Sequence, residues 1–164
     1  MKVLTVRQPW AWAIFNAGRD VETLSWTTGH RGPLLIYAGK QYDDEADAML
    51  FALGIEVPGY EVPALSRSGI VGVVDLVASI PPLAPERVSL GPLSPRETHI
   101  AVSRWYLGGC SWLFENPMVL PHFDCGDALR GRGGLFDFDE GVLPPDSRAL
   151  LATWIEARRC EAAS

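Results

Sequence analysis

The chain has 164 residues, of which 48% are hydrophobic and 21% are charged, and its formal net charge at pH 7 is −6. These values are typical of one globular domain with a single hydrophobic core, and they argue against a protein that binds nucleic acid nonspecifically through a basic face. No apolar run approaches the ~20 residues of a membrane-spanning helix, and the N-terminus lacks the pattern of a secretory signal. We therefore expect a cytoplasmic protein that does not associate with membranes.

The three cysteines, Cys110, Cys125 and Cys160, have no spacing typical of a disulfide framework, which fits a reducing compartment. A zinc site is not indicated either, since the sequence has no Cys-x-x-Cys pair. We expect no metal and no other cofactor. The oligomeric state is not indicated by the sequence, and a monomer is the default expectation.

The N-terminal part of the chain predicts a strand, a helix, an irregular segment and a second strand. The strand covers Lys2 to Val6, where β-branched residues alternate with others. The helix covers Trp10 to Ala17, between a proline that suits its first turn and a glycine that ends it. The apolar residues from Gly18 to Thr28 follow neither a helical nor a strand period, so this segment is predicted to be irregular. The second strand covers Leu34 to Ala38.

The middle of the chain predicts a helix, a long strand and an irregular loop. The helix runs from Asp43 to Leu53, with Asp43 as its N-terminal cap. The strongest strand runs from Ile70 to Ile80, an apolar run broken by Asp75. Prolines make the segment from Pro81 to Arg96 an irregular excursion, and a short strand is expected within His99 to Trp105.

The C-terminal part predicts two strands, from Trp112 to Leu120 and from Leu135 to Asp139, and a final helix from Ser147 to about Arg159. The first of these strands is interrupted at Asn116-Pro117, which favours an edge or a bulge. About five or six strands and two or three helices, without regular alternation, predict an α+β fold. The most economical form is a small β-barrel with helices around its mouth, in a single domain that covers residues 1–164.

The common catalytic motifs are absent, but aromatic rings stand beside polar side chains in several segments. A flat heteroaromatic ligand such as a nucleobase is held by stacking on aromatic rings, with its edge read by amides or carboxylates. The rings are those of Trp10 or Trp12, Trp26, Trp105, Tyr106 and Trp112, and the polar groups are Asp20, Glu22, Asp75, Glu115 and Asn116. Flanking phosphates are expected at Arg31, Arg104, Arg130 and Arg132. The alternative interpretation is that the tryptophans only fill the core.

Five segments resemble, in this order, the ASCH domain, a family of the PUA-like superfamily with the EVE and YTH domains. They are LTVRQPWAWAIFNAGRDVETLSW, RGPLLIYAGK, GIVGVVDLV, GGCSWLFENPMVLP and RGRGGLFDFD. The resemblance covers residues from about 2 to 139, so that residues 142–164 form a C-terminal helical extension. It implies a PUA-like β-barrel, a cleft between the first helix and the barrel, and binding of RNA, DNA or a nucleoside whose base is in some cases modified.

The resemblance also implies a binding pocket lined by Ser25 and Trp26, which Trp10, Trp112 and Asn116 join. Some members of the family are enzymes. One branch deacetylates a modified cytidine nucleoside with a Lys-Thr-Glu set, and another is reported as a ribonuclease.

The sequence departs from the enzymatic pattern at the turn Gly18-Arg19-Asp20, where Asp20 occupies the position of the catalytic lysine. Thr23 is retained, and Asp75 lies on the strand where the carboxylate is expected. Lys40 replaces the lysine only if it folds back over the pocket. In addition, Leu24 stands where the family has arginine, which makes the expected pocket less basic.

Three hypotheses follow from the sequence. The favoured one is a binding module that holds one nucleobase, in some cases modified, in an aromatic pocket. The second is a small hydrolase acting on modified nucleosides or RNA, in which Thr23, or a water activated by Glu22 or Asp75, attacks the substrate. The third is a domain that binds another protein.

Overall fold

A computed structural model describes residues 1–59, 65–83, 91–129 and 134–162. Within these ranges the chain forms six strands and four α-helices. The strands are β1 (Lys2–Gln8), β2 (Val21–Leu24), β3 (Gly32–Tyr42), β4 (Gly69–Ile80), β5 (Cys110–Asp124) and β6 (Leu135–Asp137). The helices are α1 (Trp10–Asn16), α2 (Asp44–Ala52), α3 (Pro95–Val102) and α4 (Pro145–Ala162).

The six strands form one mixed sheet in the order β2-β5-β4-β3-β1-β6. Strand β1 is parallel to β3 and antiparallel to β6, and β2 is antiparallel to β5. The α+β class predicted from the sequence is therefore confirmed. The sheet is not closed within the described residues, so closure into a barrel stays a prediction.

The backbone contacts divide the chain into two compact units. The first unit comprises Met1–Gly18, Pro33–Val74 and Pro117–Ser164, and the second comprises Arg19–Gly32 and Asp75–Asn116. The boundaries fall inside β4 and β5, so each of these strands contributes residues to both units. That the chain acts as a single domain stays a prediction.

The hydrophobic core of the first unit is built from strand residues and from the C-terminal helix α4. Along β1, β3 and β4 the core side chains are Val3, Leu35, Tyr37, Ile70 and Val73. Leu151 and Trp154, three residues apart on α4, are buried in the same cluster. This spacing places both side chains on one side of the helix. The C-terminal helical extension is thus part of the core of this unit.

Helix α3 corrects the prediction for this part of the second unit. The sequence predicts an irregular loop up to Arg96 and a short strand within His99 to Trp105, but Pro95–Val102 is helical. Ser94 accepts a hydrogen bond from the backbone of Glu97, whose side chain accepts one from the backbone of Ser94. Since proline is tolerated in the first turn, this capping box starts a helix in a proline-rich segment.

The sequence does not predict strand β2, because the apolar and polar residues of Val21–Leu24 do not alternate regularly. It forms by pairing with β5, with Val21 opposite Leu113 and Leu24 opposite Cys110. Strand β5 in turn runs through Asn116-Pro117, where Asn116 adopts a left-handed φ of 52°. Within the described ranges, no helix is long and apolar enough to span a bilayer.

Candidate functional site

A cavity of about 290 Å³ lies in the first unit, between α1 and the parts of β4 and β5 that belong to this unit. We call it the helix pocket. Most of its lining is apolar, and two of its walls carry aromatic rings. It is lined by Ala11, Trp12, Phe15, Asn16, Val71, Val119, Leu120, Pro121 and His122.

Helix α1 positions one wall of the helix pocket. Trp12, Phe15 and Asn16 are three and four residues apart, so they lie on one side of the helix. Ala13 and Ile14 are buried elsewhere around the helix. The start of the helix is fixed by Gln8, which is fully buried and whose Oε1 accepts a hydrogen bond of 2.8 Å from the Trp12 N–H.

Two glycines of β4 let side-chain rings lie against the strand backbone. A Cβ atom at Gly72 would overlap the ring of Phe15 and would stand 2.7 Å from the Met118 carbonyl oxygen. A Cβ atom at Gly69 would overlap the ring of His122 in the same way. Both rings border the helix pocket, so its shape depends on the absence of side chains at these two positions.

Asn16 and His122 supply the polar groups at the pocket. The Asn16 Nδ2 donates to the Trp12 carbonyl oxygen at 2.9 Å, which leaves its Oδ1 as an acceptor. The His122 Nε2 lies 3.1 Å from the Arg67 carbonyl oxygen. Because a carbonyl oxygen only accepts, Nε2 carries the proton, and Nδ1 of the neutral ring is an acceptor.

Several of the binding residues predicted from the sequence lie together in the second unit. The rings of Trp26 and Trp112 meet edge to face, with centroids 4.7 Å apart and an interplanar angle of 82°. Trp112 is fully buried, and its Nε1 donates to the Trp26 carbonyl oxygen at 3.0 Å. Trp26 is partly exposed and Ser25 is exposed. A ligand that stacks here would contact Trp26, with Trp112 as its support.

The remaining predicted binding residues are divided between the two units. Trp10 and Lys40 belong to the first unit, whereas Asp20 and Asn116 belong to the second. The Trp10 Nε1 donates to Asp43 Oδ2 at 3.0 Å, and Asp43 also caps α2, so Trp10 links α1 to α2. Lys40 is exposed on β3.

The three predicted catalytic side chains each have a partner. Glu22 forms a buried ion pair with Arg19, with N–O distances of 2.5 and 3.0 Å, and its Oε1 accepts a further bond from the Thr23 N–H at 3.1 Å. The Thr23 hydroxyl oxygen accepts a bond of 3.4 Å from the Leu107 N–H. Asp75 Oδ2 accepts from Asn116 Nδ2 at 3.1 Å. Because Glu22 already forms a buried ion pair, it is a poor general base: taking up a proton would break the pair.

Asp20, which stands where a lysine was expected, contacts a histidine. Its Oδ2 lies 2.6 Å from Nε2 of His99 on α3. Its backbone carbonyl oxygen accepts a bond of 2.7 Å from the Phe114 N–H. In the part of the chain that the structure describes, no group of three or more His, Cys, Asp or Glu side chains is arranged to hold a metal ion.

The predicted phosphate contacts are arginines, and two of them contact their own chain. Arg31 NH1 donates to the carbonyl oxygens of Thr28 and His30, at 2.9 and 2.6 Å. The Arg104 guanidinium lies 4.7 Å from the centroid of the Trp105 ring. Arg130 and Arg132 lie outside the described residues.

Four residues of the two sites are not indicated, or are indicated only as alternatives, by the sequence. The sequence offers Trp12 only as an alternative to Trp10 and does not indicate a role in these sites for Phe15, His122 or His99. The spacing of Trp12 and Phe15 on one helix, opposite a strand with two glycines, is a signal that could have identified the pocket. His99 gave no signal, since its partner is 79 residues away in the sequence.

Comparison with known proteins returned structures but no sequence relatives. No protein-family model and no curated protein matches the chain. A crystal structure of ASCH from Zymomonas mobilis is 13% identical, with a TM-score of 0.48, and the match covers 92% of this chain and 93% of that one. A serine-to-alanine mutant of the Zymomonas protein is 12% identical, with a TM-score of 0.47 and coverage of 93% and 94%. Both structures carry the name of the family that the five sequence segments resemble.

Proposed function

We propose that this protein binds one nucleobase, either in a nucleic acid or in a free nucleoside, and that the helix pocket holds the base. The observation that carries this proposal is a cavity of nucleobase size with the rings of Trp12 and Phe15 in its wall. Since a cavity of about 150 Å³ holds benzene, a cavity of about 290 Å³ holds roughly twelve non-hydrogen atoms. A single purine or pyrimidine has this size.

The chemistry of the lining favours a flat, largely apolar ligand. Stacking of a base on an aromatic side chain contributes about 1–3 kcal/mol. Asn16 Oδ1 and His122 Nδ1 are acceptors, which suit the N–H donors at the edge of a base. The Watson–Crick edge of every nucleobase carries at least one such donor, so the pocket favours a base over an apolar hydrocarbon.

The distribution of charge supports recognition of a base rather than of a phosphate backbone. The formal net charge is −6, which opposes the approach of a polyanion. The two predicted phosphate-binding arginines in the described ranges already contact their own chain. The motifs that resemble the ASCH domain supply the expectation of a nucleic acid or nucleoside, and the size of the helix pocket supports the proposal that it holds one base.

The experiment compares two tryptophans by isothermal titration calorimetry with nucleosides and with short single-stranded RNA and DNA. In Trp12→Ala we expect the affinity to fall at least tenfold, which corresponds to about 1.4 kcal/mol of lost stacking. Trp12→Phe keeps a flat ring and should bind within about threefold of the unaltered protein. Val102→Ala, at a position that is 79% exposed, serves as the control and should bind normally.

Trp26→Ala decides between the helix pocket and the position expected from the sequence. Unchanged binding in this variant, with loss in Trp12→Ala, supports the helix pocket. Loss in Trp26→Ala alone would move the base to Trp26 and refute the assignment to the helix pocket. If the unaltered protein binds none of the nucleosides or oligonucleotides at millimolar concentration, the proposed function itself is wrong.

A further inference from the structure

A second cavity, of about 250 Å³, lies wholly within the second unit. We call it the α3 cleft. It is lined by Asp20, Pro95, Arg96, His99, Leu113 and Glu115. By comparison with the cavity of about 150 Å³ that holds benzene, it holds roughly ten non-hydrogen atoms. Four of the six lining side chains can be charged, which distinguishes this cleft from the apolar helix pocket.

The chemical centre of the α3 cleft is the contact between His99 and Asp20. The imidazole Nε2 and the carboxylate Oδ2 are 2.6 Å apart, the short distance of a charge-assisted hydrogen bond. The carboxylate therefore holds the proton of the neutral ring on Nε2 and leaves Nδ1 able to take up another. The His99 side chain is 52% exposed, so water and small molecules reach it.

Both partners of this contact are held by ordered elements. His99 lies on α3, whose first turn is fixed by the capping box of Ser94 and Glu97. Asp20 is held by the hydrogen bond from the Phe114 N–H to its backbone carbonyl oxygen, at 2.7 Å. The backbone on both sides of the contact is thus fixed, and the hydrogen bond to Asp20 Oδ2 orients the imidazole, as an efficient proton-transfer group requires.

The other side chains of the α3 cleft indicate what it can accept. The two carboxylates of Asp20 and Glu115 outnumber the one guanidinium of Arg96, so an anionic molecule is disfavoured. Pro95 and Leu113 supply apolar surface. Arg96 and His99 are three residues apart on α3, so they project from the same side of the helix. A guanidinium beside a proton acceptor suits a reaction in which negative charge develops on a carbonyl oxygen.

We propose that the α3 cleft hydrolyses small uncharged carboxylic esters, with His99 as the general acid–base residue and Asp20 as the residue that positions it. This activity goes beyond the binding of a nucleobase and uses a different part of the chain. It also uses none of the side chains predicted as catalytic from the sequence, which are Thr23, Glu22 and Asp75.

The reaction consumes one water molecule. His99 Nδ1 removes a proton from the water as the water oxygen bonds to the ester carbonyl carbon, and the carbonyl oxygen becomes an oxyanion that Arg96 stabilises. The bond from this carbon to the alcohol oxygen then breaks, and the proton on Nδ1 passes to the departing oxygen. The products are a carboxylic acid and an alcohol, and Asp20 remains a carboxylate throughout.

The experiment measures hydrolysis of p-nitrophenyl acetate by the full chain above the rate of buffer alone. In His99→Gln we expect the rate to fall at least about tenfold, the low end of general acid–base effects. Asp20→Asn should lower the rate similarly and shift its pH profile, because the positioning carboxylate is lost. His30→Gln is the matched control and should keep the rate within about twofold, since His30 does not line the α3 cleft.

A rate that His99→Gln leaves unchanged would overturn this proposal. Equal losses in His99→Gln and His30→Gln would overturn it too, because they would indicate unspecific catalysis by surface imidazoles. An Asp20→Asn variant with an unaltered pH profile would remove Asp20 from the mechanism. Nucleoside binding measured on His99→Gln separates the two proposals, since this variant should still bind through the helix pocket.

Discussion

Arg19 is the residue whose loss we expect to cost the most stability, because it forms a buried ion pair with Glu22. The two side chains are 2% and 10% exposed, so water cannot replace either partner. In Arg19→Ala, Glu22 would stay buried as an uncompensated charge, and such a change costs about 3–5 kcal/mol. Urea denaturation should show a lower midpoint with an unchanged slope.

Two variants test whether charge is the cause. Arg19→Met combined with Glu22→Leu removes both charges and keeps the volume, so it should recover most of the lost stability. Arg7→Ala, at an exposed position, should change stability by no more than about 0.5 kcal/mol. A small effect in Arg19→Ala, comparable to that of Arg7→Ala, would show that Glu22 finds another partner.

At the scale of single residues, the sequence indicates which residue types are unusual but not which of them meet. The sequence indicates both Asp20, which replaces a lysine, and Glu22, which is a candidate general base. Their partners, His99 and Arg19, follow from the fold, since Arg19 and Glu22 are not on a common helix and His99 is far away in the sequence. A role that depends on a partner cannot be predicted before the partner is known.

At the scale of elements, Gly72 on β4 is the position where adding a single Cβ atom should disturb the helix pocket most. In Gly72→Ala the new Cβ would overlap the Phe15 ring and would stand 2.7 Å from the Met118 carbonyl oxygen. Backbone cannot move aside as a side chain does, so we expect a loss of about 1–3 kcal/mol. Phe15 lines the helix pocket and must also shift, so nucleoside affinity should fall in the same variant, as measured by calorimetry.

Gly29→Ala is the control for this substitution. A Cβ atom at Gly29 has no heavy atom within 4 Å, so we expect stability and binding close to those of the unaltered protein. If Gly72→Ala matches Gly29→Ala in thermal unfolding, Phe15 is not packed on β4 as described. If it is destabilised but binds nucleosides normally, the base does not occupy the helix pocket.

The elements that the sequence predicts best are those with a clear signal within their own residues, such as an apolar run or a capping side chain. Strand β4, Gly69–Ile80, is an apolar run predicted within one residue, and α2 begins after Asp43, whose side chain accepts from the Ala46 N–H. Strand β2 and helix α3 were missed for different reasons. The first exists only through its pairing with β5, and the second was concealed by prolines that the first turn of a helix tolerates.

At the scale of the whole molecule, the net charge of −6 and the proposed binding of a single base together predict how binding of an oligonucleotide responds to salt. A protein that contacts several phosphates releases one counterion at each, and the slope of log K against log salt for a single strand is about −0.7 per contact. Under the proposed function the base supplies the affinity, so a single-stranded RNA of about ten nucleotides should bind with a slope shallower than about −1 between about 50 and about 200 mM salt.

A free nucleoside gives the matching control for this prediction, because it lacks phosphate altogether. Its affinity should be independent of salt, and it should displace the RNA at both ends of the salt range. A slope of about −3 for the RNA would instead require roughly four phosphate contacts, and hence a basic surface. Arg31 and Arg104 already contact their own chain, so that result would make Arg130 and Arg132 the candidate phosphate contacts. Substitution of these two arginines should then make the slope shallower by about 1.4.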